Sequence, residues 1–172
     1  MDNTVSCTIR RLNPGDATEW AQLRLEALET SPLAFSSSIP GEFQSLVETA
    51  SDRLEIRETS ACFGAFVDNR LQGTVGIHRE SGEKRRHKCM IVAMFVRAGS
   101  RRKGIGEMLM TAAIQHARSW EGVEQIQLVV NDVAPEAKRL YERCGFHVWG
   151  IEPRSLLHAG IYTDALHMIL KL

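Results

Sequence analysis

Seven consecutive apolar residues, Met90-Ile91-Val92-Ala93-Met94-Phe95-Val96, lead within a few positions into Arg101-Arg102-Lys103-Gly104-Ile105-Gly106 and then a helical pattern. A strand that is apolar at every position reads as covered on both faces, so this run predicts the central strand of a layered α/β domain. The helix after it carries Ile105, Met108, Leu109, Ala112, Ala113, His116 and Trp120 on one stripe, and Gly122 stops it.

The rest of the chain is consistent with this centre. Val5 to Leu12 reads as a strand, and Asp16-Ala17-Thr18-Glu19 has the form of a capping box opening a helix. That helix places Trp20, Leu23, Ala27 and Leu28 on one face and ends at Ser31-Pro32. Ser36-Ser37-Ser38 and Pro40 precede a weaker helix from about Gly41 to Ile56. Cys62 to Val67 and Thr74 to Ile77 flank the turn signal Asp68-Asn69-Arg70 and form a hairpin. Gly82 marks another turn, and Lys84 to Lys88 reads as a solvated hairpin tip. Glu124 to Val130 is a strand, and Pro135 opens a helix that turns Ala137, Leu140, Tyr141 and Cys144 inward and closes at Gly145. Phe146 to Ile151 and Ala165 to Leu170 form a last hairpin. The order β-α-α-β-β-β-α-β-α-β-β predicts one domain over residues 1–172, an α/β (α+β) fold with a mixed sheet of about seven strands and helices on both faces.

Charge bears on where an anion can bind. Lysine plus arginine equals aspartate plus glutamate, 21 each. No overall basic field favours nucleic acid or an anionic membrane, so an anion site must be built locally. Met1-Asp2-Asn3-Thr4 has no secretory pattern and no apolar run is long enough to span a bilayer, which leads to the expectation of a cytoplasmic protein. Cys7, Cys62, Cys89 and Cys144 lack metal-site spacing and read as reduced thiols, most of them buried; no metal is expected.

The local anion site is the basic, glycine-bearing loop. A helix N-terminus leaves backbone N–H groups unpaired and carries a partial positive charge, and glycines let the backbone approach a phosphate closely. Two known phosphate motifs fail here. A P-loop would need Lys-Ser/Thr where Ile105-Gly106 stands, and a dinucleotide fingerprint would need glycine at Leu109.

Arg-x-x-Gly-x-Gly after an apolar strand resembles the signature of the Gcn5-related N-acetyltransferases. The stretch Ala137-Lys138-Arg139-Leu140-Tyr141-Glu142-Arg143-Cys144-Gly145-Phe146 is similar to a second segment of that family. The resemblance implies a mostly antiparallel sheet, splayed between its fourth and fifth strands, with acetyl-CoA as cofactor. It implies that Met94, Phe95 and Val96 meet the pantetheine, and that Arg101, Arg102, Lys103, Gly104, Ile105, Gly106 and Glu107 hold the pyrophosphate. Asn131 and Lys138 would lie along the cofactor. Many members carry asparagine where this chain has Ala134, so Asn131 is a candidate to take over those contacts.

Transfer to an amine requires a neutral nucleophile; an amine of pKa about 10.4 is neutral only about one time in a thousand near pH 7. A base, an oxyanion donor and an acid for the departing thiolate are therefore expected. The backbone N–H of Phe95 or Val96 is the oxyanion candidate, and Tyr141 the acid, the resemblance setting it beside the sulfur. Glu26 is the candidate base, with His78, Glu80 and Asp164 behind it; His116 and His167 read as structural. Phe35 with its serine neighbours, and the hairpin around Arg154, His158 and Tyr162, would shape the acceptor site. The resulting expectation is an acetyl-CoA-dependent N-acetyltransferase acting on a small-molecule or peptide amine in a ternary complex, as a monomer or homodimer. The competing readings are a silent acyl-CoA-binding module, an enzyme for longer acyl groups, and a nucleotide-binding protein.

Overall fold

The computed structural model describes residues 6–37 and 43–172. Its strands are β1 (Cys7–Arg11), β2 (Ser60–Val67), β3 (Arg70–Arg79), β4 (Lys88–Val96), β5 (Gln125–Asn131), β6 (His147–His158) and β7 (Ile161–Lys171). Its α-helices are α1 (Ala17–Thr30), α2 (Phe43–Arg53), α3 (Ile105–Ser119) and α4 (Pro135–Arg143). Expectations at Val5, Ser38, Pro40 and Gly41 lie outside the described residues.

All seven strands form one sheet in the order β1-β2-β3-β4-β5-β7-β6. The β4–β5 pair is parallel and the other neighbours are antiparallel, the mixed and mostly antiparallel sheet that was expected. A parallel pair needs a crossover, which α3 supplies. Helices cover both faces. On one, Trp20, Leu23 and Ala27 of α1 and Leu46 and Ala50 of α2 pack with Leu71 and Phe95. On the other, Leu109, Met110 and Ala113 of α3 and Tyr141 of α4 pack with Val75, Ile77, Ile126 and Leu128.

The sheet is not continuous at its centre. β4 pairs with β5 only from Lys88↔Gln125 to Met90↔Gln127, whereas β5 stays with β7 as far as Asn131↔Ala165. Against β3, one extra residue enters β4 between Val92 and Phe95, and Ala93 there adopts φ +53°. Such a bulge bends the strand that carries it. The expected splay is therefore present, and it corrects the reading of β4 as covered throughout. Cys89 and Ile91 are buried, but Val92 is 41% exposed because its neighbouring strand has left.

Three local expectations also change. The capping box sits one short turn earlier: Gly15 N–H donates to Asn13 Oδ1 at 2.9 Å and Asn13 N–H to Asp16 Oδ2 at 3.0 Å, and Asp16 pairs with Arg10 at 2.7 Å. The second helix ends at Arg53, short of Ile56. The last hairpin is much longer than Ile151 and Ala165 suggested, because Ala159 and Gly160 (φ +48° and +78°) make a tight turn that pairs His158 with Ile161. Pro153 obscures this in the sequence, yet β6 is an edge strand, where proline is tolerated.

Candidate active site

The basic loop leaves β4 through a short 3-10 turn, Ala98–Ser100, and enters α3 at Gly104. Gly104 has φ +76°, which glycine adopts without strain, and a Cβ there would meet no atom within 4 Å, so the space before the helix is open. The first helical bond is Met108 N–H to Gly104 O at 3.0 Å, leaving the N–H groups of Ile105, Gly106 and Glu107 directed to that space. Gly106 serves packing: a Cβ would stand 2.9 Å from Leu140 Cδ2, so its absence lets α3 approach α4.

The three cations differ. Arg101 donates from Nε to Val96 O at 2.8 Å and lies 5.6 Å from the Phe95 ring, tying the loop to β4. Arg102, with φ +61° and a side chain 87% exposed, reaches Glu136 at 3.4 Å. Lys103 has no ion pair among the described residues. Glu107 is paired with Arg143 at 2.6 Å. Open amides, flanking cations and a glycine-lined approach fit a diphosphate.

The gap between β4 and β5 begins beside this loop. Arg97 N–H donates to Gln72 O, on the β3 side. Backbone groups alternate sides along a strand, so Phe95 also faces β3 while Met94 and Val96 face the gap. Of the two oxyanion candidates, this geometry favours Val96. Tyr141 is 7% exposed at the inner side of α4, its ring 6.3 Å edge-on from Phe146. Burial drives its phenol far above the ordinary value, with the nearby Cys144 adding to the effect, so Tyr141 stays protonated.

Other expected cofactor residues are already engaged. Asn131 is buried at the end of β5, and its side-chain N–H donates to Leu33 O of the 3-10 turn Pro32–Ala34, bracing that turn. Lys138 pairs with Glu142 at 2.6 Å, and Ala134 is the N-cap of α4.

A cavity of about 640 Å³ lies on the α1 side of the gap, lined by Trp20, Arg24, Phe35, Ser37, His78, Val92, Ala93 and Asn131 among others. Phe35 and its serine neighbours are thus part of it, 6.5 Å from the Phe95 ring. Glu26 is not: its carboxylate is bound by Arg97 at 2.8 Å. Arg154 and Tyr162 also stand apart, with Arg154 stacked 3.8 Å over the Tyr162 ring on the exposed face of the last hairpin. Of the other acids proposed as bases, Glu80 is paired with Arg85 and Asp164 accepts the Arg154 N–H.

Sequence reading missed Arg24, the one buried charged side chain on the lining, at 8% exposure. The signal was available: Arg24 falls between Leu23 and Ala27 on the apolar stripe of α1, where a charge is out of place. It missed the Ala93 bulge too, since positive φ at alanine leaves no mark in sequence.

Only Cys89 is fully buried, fewer thiols than expected, and all four are free. Burial raises every one of them, Cys62 and Cys89 to about 11. A thiol held protonated is a poor nucleophile.

Comparison with known proteins gives the family and the fold. The family model described as "Acetyltransferase (GNAT) family" matches residues 20–146. The L-amino acid N-acetyltransferase AaaT of Escherichia coli (strain K12) is 30% identical over 122 residues, covering 70% of this chain and 72% of that protein. Among solved structures, a GNAT-family acetyltransferase from Streptococcus pneumoniae superposes with TM-score 0.83 at 23% identity, over 97% of this chain and 100% of the other. The yncA protein of Salmonella typhimurium, solved with its cofactor acetyl-CoA, superposes with TM-score 0.83 at 19% identity, over 97% and 94%. With a family match over most of its length, the chain belongs to the GNAT acetyltransferase family, whose cofactor is acetyl-CoA.

Proposed function

We propose that this chain, acting as one domain, is an N-acetyltransferase that moves the acetyl group of acetyl-CoA to a primary amine by direct attack in a ternary complex. The observation that carries the reading is the β4–β5 gap, which has the diphosphate-binding loop at one end and the Phe35 cavity at its side. When bound, acetyl-CoA supplies an activated acetyl thioester.

The amides of Ile105, Gly106 and Glu107, with Arg102 and Lys103, hold the diphosphate. Met94 and Val96 offer the gap backbone groups that β5 leaves free, apart from the Val96 carbonyl held by Arg101, and the Val96 N–H is the oxyanion donor. Tyr141 is the acid. Its burial keeps the proton in place, and dry surroundings raise the basicity of a departing thiolate in the same direction. His78 is the cavity-lining group able to take a proton without breaking an ion pair with an arginine, and we assign it the base in place of Glu26. The raised thiols support direct transfer over an acetyl-cysteine route.

The acceptor is a small molecule: the cavity has the size of a small-ligand pocket, and the E. coli relative is named for L-amino acids. Four free thiols support a cytoplasmic location. The exposed Trp149, Ile151 and Leu157 of β6 support a homodimer over a monomer. Steady-state release of free thiol from acetyl-CoA with a panel of amines tests the activity. Turnover of at least one amine is expected. Tight acetyl-CoA binding without turnover of any would favour a silent binding module instead.

A further inference from the structure

Arg24 lines the acceptor cavity with a buried guanidinium that has no acidic partner among the described residues. Its contacts there are neutral: it donates to Ser37 Oγ at 3.3 Å and lies 4.5 Å over the Phe35 ring. Another cation, Arg53, also lines the cavity and opposes the Arg24 charge. The lining carboxylate, Asp52, is taken up by Arg57 at 2.8 Å. An arginine has five N–H donors, and a buried charge without a counter-ion is costly, so a side chain placed this way is made for an anion that arrives with a ligand. Trp20, Phe35, Ile77 and Leu156 supply apolar wall beside polar residues of the same lining.

We propose that Arg24 binds the carboxylate of the acceptor, so that the substrates are small amines that also carry a carboxylate and an apolar body, free amino acids being the simplest. This rests on the acetyltransferase reading above and names its substrate class. Arg24 is a specificity-determining residue: it holds the acceptor and takes no part in proton transfer. A guanidinium–carboxylate pair contributes about tenfold to a hundredfold in affinity when both partners are desolvated.

The test uses the full chain and matched pairs, L-leucine with L-leucinamide and L-phenylalanine with L-phenylalaninamide. Thiol release gives kcat/KM, and calorimetry on the CoA-bound protein gives acceptor affinity. The less basic amine of an amide is more often neutral, so chemistry alone favours the amide. We expect the wild-type chain to prefer the acid at least tenfold, chiefly through KM. Arg24→Gln should bring the ratio near one while turnover of the amides persists, and Arg24→Lys should restore part of it. Equal handling of acid and amide by the wild-type chain would overturn the proposal, as would a ratio unchanged in Arg24→Gln. If no amine is turned over, the acetyltransferase reading fails separately, and the calorimetric comparison still decides: acids that bind no better than amides, or not at all, overturn the role of Arg24.

Discussion

Leu140 Cδ2 occupies the place where a side chain on Gly106 would begin, 2.9 Å from the position of its Cβ. The first turn of α3, which presents the amides proposed for the diphosphate, is therefore seated directly on α4, which carries Tyr141. Gly106→Ala should press these helices apart. We expect a loss of about 1–2 kcal/mol, a fall of a few degrees in Tm, and weaker acetyl-CoA binding. Adding Leu140→Val should recover most of the stability. Thermal melts and calorimetry on the single and double variants check this; a Gly106→Ala chain as stable as wild type would show that the seat is loose.

Tyr141→Phe keeps the ring in the core and removes the hydroxyl. Turnover should fall by about a hundredfold or more while the affinity for CoA stays within about threefold. A rate within threefold of wild type would remove Tyr141 from the chemistry and leave it as packing between α4 and Phe146.

The two base candidates separate cleanly. Glu26→Gln should cost turnover no more than about threefold, because its carboxylate is committed to Arg97 and off the cavity wall. His78→Gln should lower kcat/KM at neutral pH by about tenfold or more, with the loss shrinking at alkaline pH as more of the amine is already neutral. A reversed pattern, with Glu26→Gln the damaging change, would return the base to α1.

The raised thiols of Cys62 and Cys89 make stability depend on alkaline pH. Cys62 and Cys89 hold their protons to about 11 in the folded chain, whereas an unfolded cysteine releases its proton near 8.5. The unfolded state then binds fewer protons, so stability is fully present below about pH 8.5 and falls as pH rises toward 11. Urea midpoints at pH 7.5, 9 and 10.5 should show that decline, and Cys62→Ser and Cys89→Ala should each make it shallower. Slopes identical to wild type would show that these thiols are not the cause.

Much of the fold was legible locally. The apolar run from Met90, the glycine-bearing loop and the stripe from Ile105 to Trp120 each reflect short-range rules: which faces are covered, where φ is positive, where a helix can start. The open helix N-terminus after the loop was readable for the same reason, since unpaired amides belong to any helix N-terminus. The missteps arose where a local pattern had two meanings. Asp16 looked like a cap but met Arg10, and Pro153 looked like the end of a strand that continues along an edge.

What the sequence determined by itself was the order of elements, the central strand and the glycine-bearing loop that opens α3, because periodicity and turn chemistry involve neighbours a few residues apart. Only the tertiary structure decided that β4 parts from β5 after Met90, that Arg97 claims Glu26 from 71 positions away, and that Arg24 faces a cavity without an acid beside it. Those are relations between distant segments, set by how the strand bulge and the helices pack, and no window along the chain contains both partners.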